Sequence, residues 1–116
     1  MQTRPAPENL VATVRDYLTD LQGRVDPVDQ FQVRVSVHLL GIAERQLARG
    51  ADVEARERAA LAGLLDDGAG SLDDLNRELC RRIRAGDLDD RQSAVLAALL
   101  DIVADEVGIV APDKLP

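Results

Sequence analysis

Tryptophan is absent, and cysteine, histidine, phenylalanine and tyrosine each occur once, as Cys80, His38, Phe31 and Tyr17. One cysteine cannot form an intramolecular bridge, so no disulfide framework is expected and a reducing cytoplasm is the expected setting. One histidine rules out a His-based metal cluster, leaving a Cys80–His38 pair as a weakly signalled nucleophilic arrangement. Aromatics at 2 %, with few β-branched residues outside 25–37, do not supply the composition of an all-β fold. No apolar run approaches the ~20 residues that span a bilayer, and no charged segment followed by an apolar stretch opens the chain as a secretory leader would. Basic excess is missing too. Fourteen Lys and Arg face 21 Asp and Glu, for a net charge of −7, which opposes binding to a phosphate backbone and sets nucleic acid aside as a partner. Walker loops, nucleophile elbows, HExxH and calcium loops are all missing, and the acidic groups at 66–67, 73–74 and 87–90 read as helix-end residues.

What remains is a helix-forming alphabet of Ala, Leu, Asp and Arg over 116 residues, enough for one domain that buries roughly two thirds of its unfolded surface. Leu10, Val14, Tyr17, Leu18 and Leu21 recur at helical spacing over about 8–22, with Gly23 placed as a left-handed cap. Asp26 and Pro27 read as N-cap and first helical residue of a second helix running to Gly50. Asp52 is the expected cap of a third, stopped by Gly68 and Gly70. Ser71 opens SLDD, a near capping box in which Asp74 replaces the usual Glu, and Leu72, Leu75, Leu79 and Ile83 carry a fourth helix to Gly86. Asp87 or Asp89 caps a fifth, in which Val95, Leu96, Leu99, Leu100, Ile102, Val103 and Val107 make a broad apolar surface. The expected architecture is an all-α, single-domain antiparallel bundle of about five helices over 1–116, with loose tails at 1–7 and 109–116.

The stretch FQVRVSVHLLGIAERQL at 31–47 alternates like a strand at its start, yet no turn signal interrupts it, so a single helix is the simpler reading. At 100° per residue, Phe31, Val35, Leu39 and Ile42 form one flank and Val33, Val37, Leu40, Ala43 and Leu47 another. A helix apolar on two flanks is expected at the centre, packed on more than one side. Between the flanks runs a stripe of Arg34, His38, Gly41 and Arg45. An enclosed Arg without a partner is costly, so carboxylates or a bound anion should face Arg34 and Arg45. Internal salt bridges and contact with a ligand or partner phosphate both stay open as readings of the stripe. Gly41 has either a packing or an access role, His38 reads as a hydrogen-bonded structural histidine, and Cys80 as structural. On the fourth helix Asn76 sits among Leu72, Leu79 and Ile83, where its amide either bonds to a neighbouring helix or points into an interface. Arg77, Arg81 and Arg84 line the other side.

LVATVRDYL at 10–18, FQVRVSVHLLGIAERQL at 31–47 and LNRELCRRIRAGDLD at 75–89 together resemble a family of small all-helical bacterial proteins. That family is labelled a domain of unknown function and accompanies aminoglycoside-phosphotransferase-like kinases and acyl-CoA dehydrogenases. Phe31, Arg34 and Val35 match F-x-x-R-V, Leu75, Asn76 and Arg77 match L-N-R, and Ile83 to Gly86 match I-R-A-G. His38 stands where the family pattern has asparagine, and VADEVGIVAP lacks the basic residues of that segment. Members resemble the small B subunit of a levulinate-catabolism kinase. The resemblance therefore implies a non-catalytic accessory subunit, without cofactor, that supports phosphorylation of a 4-hydroxyacyl-CoA by the larger kinase-like subunit. Arg34, His38, Arg45, Asn76 and Arg77 are then the expected partner or ligand contacts, with a CoA thioester at the shared interface. A self-associating helical module, dimerising through Val33, Val37 and Leu40, is the alternative of a different class. A hydrolase or lyase using His38 with a carboxylate is a third.

Overall fold

The computed structural model describes residues 5–116 and is all-helical, its helices joined by turns and short loops, with no strand among the described residues. Among the described residues four α-helices form rather than five: α1 (Pro7–Leu21), α2 (Pro27–Leu65), α3 (Leu72–Ala85) and α4 (Gln92–Val110), with 3₁₀ turns at Gln22–Arg24, Asp89–Arg91 and Pro112–Lys114. Residues 1–4 of the expected loose leader lie outside the described residues, and Pro7 already occupies the first turn of α1. At the other end, Ile109 lies inside α4 and is only 2 % exposed, not part of a loose tail.

The missing break is at Gly50. A glycine inside a helix costs about 1 kcal/mol relative to alanine, too little to stop propagation between strong helix formers such as LAR before it and EARERAA after it. Asp52 is consequently a helical residue and not a cap, and two expected helices are one. Residues 31–47 lie wholly within it. Gly23 does not take the left-handed conformation either, and α1 ends instead in a 3₁₀ turn over Gln22–Arg24.

The end of α2 is set by Asp66, whose φ of 57° is left-handed, a conformation aspartate tolerates better than most residues. In the following loop, Asp67 Oδ1 accepts from the Ala69 N–H at 2.9 Å, and Arg58 Nη1 donates to the Gly70 carbonyl at 2.9 Å. The capping box at Ser71 forms as read: the Asp74 N–H donates to Ser71 Oγ at 3.1 Å, and the Ser71 N–H donates to Asp74 Oδ2 at 3.2 Å. Gly86 closes α3 with φ 80°. Its N–H donates to the Ile83 carbonyl and that of Asp87 to the Arg82 carbonyl, the paired bonds of a Schellman end.

The chain falls into two compact units, one of the described residues to Gly50 with Ile109–Ala111, the other of Ala51–Gly108 with Pro112–Pro116. The second has a leucine core: Leu61, Leu64 and Leu65 of α2, Leu75 and Leu79 of α3, Leu88, and Val95 of α4, flanked by Leu72, Ala98, Leu99 and Ile102. Arg56 pairs with Asp105 at 3.1 Å in the same unit. In the first unit, α1 and α2 are joined by the ion pair of Arg15 with Glu44. Val33, Val35, Val37, Leu40 and Ile42 are half-buried there, while Phe31, Leu39 and Leu47 are exposed. The packing expected on both flanks of residues 31–47 is therefore only partial.

Candidate functional site

Helix C-termini carry carbonyls without partners and a partial negative charge, and neither α2 nor α4 has a basic residue in its last turn. Arginines distant in sequence fill both places. Arg82 Nη1 donates to the Leu65 carbonyl at 3.0 Å and Arg91 Nη1 to the Leu64 carbonyl at 3.0 Å, together capping α2. Arg45 Nε donates to the Ile109 carbonyl at 2.7 Å in the last turn of α4. Arg45 folds back over buried Gly41, where an added Cβ would lie 3.3 Å from Nη1, so the glycine makes room for the guanidinium. The carboxylate or anion expected opposite Arg45 is thus replaced by a backbone carbonyl. Arg34 is exposed and lies 5.7 Å from the centroid of the Phe31 ring, a cation–π contact in place of the expected carboxylate. His38 is exposed, with no hydrogen bond among the described residues, which removes the structural role expected of it.

Asn76 and Arg77 belong to the other unit, on α3. Asn76 Nδ2 donates to the Leu72 carbonyl at 3.1 Å and to Glu57 Oε1 of α2 at 3.4 Å, the inter-helix bond that its place on the apolar side called for. Beside it, Asp73, Arg77, Cys80, Arg81 and Arg84 line a shallow concavity of about 470 Å³ along one side of α3. Cys80 is exposed in it. Arg81 is held by Glu78, with Nε 3.0 Å from Oε2 and Nη2 2.6 Å from Oε1, and Arg82 Nε shares the same carboxylate at 2.9 Å. The hydrogen bonds from Arg81 and Arg82 hold the Glu78 carboxyl down at about 2. Arg77 and Arg84 have no ion pair among the described residues and leave two guanidiniums open to an anion. No described group of three or more His, Cys, Asp or Glu side chains is placed to hold a metal ion. Cys80 and His38 fall in different units.

The profile described as "Domain of unknown function (DUF6285)" matches residues 23–113, which span α2 to α4 and all five expected contact residues. The chain belongs to the DUF6285 family. No curated protein and no solved structure matches it.

One further surface of the DUF6285 segment was not recognised as a site from sequence. Leu96, Leu100 and Val103 of α4, spaced i, i+4 and i+7, are 59 %, 61 % and 57 % exposed. Beside Leu96 is a concavity of about 240 Å³ lined by Ile83, Leu88, Asp89, Gln92, Val95 and Leu99. The sequence carries a surplus, since apolar residues cover too much of the circumference of α4 for one buried face, but it does not say which of them stay exposed. No described helix is long and apolar enough to cross a membrane.

Proposed function

We propose that the chain is a non-catalytic accessory subunit that docks on an aminoglycoside-phosphotransferase-like kinase in the cytoplasm and supports its action on a 4-hydroxyacyl-CoA. The observation that carries the docking part is the exposed seam of Leu96, Leu100 and Val103, since soluble monomers rarely leave contiguous large apolar side chains in water. The kinase and the acyl-CoA rest on the resemblance of the F-x-x-R-V, L-N-R and I-R-A-G segments. Among the contact residues, exposed Arg34 and Arg77 suit a partner carboxylate or CoA phosphate, whereas Arg45 and Asn76 spend their donors inside the fold. Co-expression with a candidate kinase tests the reading. A stable complex and faster phosphorylation of the acyl-CoA are expected; a chain that stays solitary and leaves kinase activity unchanged overturns it.

Self-association is the second reading, favoured by a separate exposed row on α1, Leu10, Val14 and Tyr17. Sedimentation of the purified chain decides it: a dimer lost on replacing these three by serine supports it, and a monomer at all concentrations removes it.

A further inference from the structure

Resting on the reading of the chain as a docking subunit, the geometry points to one class of occupant for the α4 seam: an amphipathic helix of a partner protein whose apolar stripe is flanked by Lys or Arg. Leu96, Leu100 and Val103 form a row of the length that a partner helix covers with residues at i, i+3 or i+4, and i+7. The concavity between Ile83, Leu88, Leu96 and Leu99 offers room at one end for a bulky apolar side chain, the buried anchor that dominates such interfaces. Charge chooses the flanks. Acid lies along the flank that holds the concavity, where Asp89 is part of the lining and exposed Glu106 stands about 60° round the helix from Val103, and neither α4 nor that lining contributes a Lys or Arg. A second copy meeting this face would set the acids of one copy against those of the other, whereas a basic-flanked helix pairs with them.

The test titrates two synthetic helical peptides with the same Leu stripe, one flanked by Lys and one by Glu, into the whole chain by calorimetry. The Lys-flanked helix is expected to bind about tenfold more tightly, the size of two exposed ion pairs, with the preference shrinking in high salt. Leu96→Ser with Leu100→Ser should remove binding of both peptides without changing the circular dichroism, because both side chains are already exposed. Asp89→Lys with Glu106→Lys should reverse the order of the peptides, which a loss of folding cannot mimic. Equal affinities, no binding of either peptide, binding untouched by the serine pair, or a dimer that the serine pair dissolves would each overturn the proposal. A kinase complex that forms equally well with the serine pair sinks the seam and leaves the accessory reading standing. Lys-flanked binding without any kinase complex does the reverse.

Discussion

The two units are built on different principles. In the second, Val53, Leu61, Leu64, Leu65, Leu75, Leu79, Leu88 and Val95 are buried, and two arginines cap the end of α2 inside the same unit. In the first, Ile109 is the one buried large side chain among the described residues, α1 buries none, and the valines of α2 are only half-covered. Apolar area removed from water stabilises by about 25 cal/mol per Å², so a half-covered valine contributes a fraction of what an enclosed leucine does. The second unit is held by its core. The first relies more on polar links, the Arg15–Glu44 pair and the bond from Arg45 to the Ile109 carbonyl.

The sharpest way to break this contrast is a pair of truncations. Leu61→Ala, at a side chain with 0 % exposure, should cost about 2–5 kcal/mol in urea unfolding, because it leaves a cavity that the leucine cluster closes only in part. Val37→Ala, at a half-buried position, should cost about 1 kcal/mol or less. Amide exchange would localise the two effects. Equal costs would mean that the first unit is packed as tightly as the second.

Next in size are the arginine caps. Arg82→Met keeps the aliphatic stem but uncovers the Leu65 carbonyl and removes one of the two arginines that donate to Glu78, and should lose about 1–2 kcal/mol. Arg45→Met uncovers the Ile109 carbonyl alone, and about 1 kcal/mol is expected. Thermal unfolding measures both. A neutral Arg45→Met would show that the polar link in the first unit is incidental.

Much of this contrast was legible in the sequence where the determinants are local. Ser71 with Asp74, Gly86, and Asp26 with Pro27 sit beside the groups they cap, and α3 and the start of α2 follow from them. At Gly50 and Asp52 the same local signals mislead, because the modest cost of one glycine is outweighed by the strong helix formers on either side. Asn76 was readable as a bridging amide since a buried amide must find a partner. The carbonyl facing Arg45 was not readable, being 64 residues away and on the main chain. Nor was the exposure of Leu96, Leu100 and Val103, since hydrophobicity marks which residues prefer burial and not whether enough chain exists to cover them.

Gly41 and Arg45 give a finer test of the first unit. Alanine at position 41 gains helix propensity of about 1 kcal/mol, but its methyl group would stand 3.3 Å from Arg45 Nη1 and push the guanidinium off its position. The single substitution Gly41→Ala should therefore change stability by less than that propensity gain. In an Arg45→Met background, with no guanidinium to displace, the full gain of about 1 kcal/mol should return. Additivity between the two positions, read from a double-mutant cycle, would show that the glycine is not there for the arginine.

The smallest effect concerns Glu78 in the second unit, and here the sign is decisive. Its folded-state carboxyl titrates at about 2 against an ordinary 4.5, first because Arg81 donates to it and then because Arg82 does. A depressed carboxyl contributes stability that is fully present above pH 4.5 and is lost as pH falls from 4.5 through about 2. Both arginines are partly in water, so screening keeps the contribution small and salt should shrink it further. Glu78→Gln should therefore be slightly less stable than wild type near neutrality, with the gap closing as the acid limb is descended. A gap that widens in acid would mean that the paired guanidiniums do not hold the carboxylate ionised, and Arg82 would then be positioned by its bond to the Leu65 carbonyl alone.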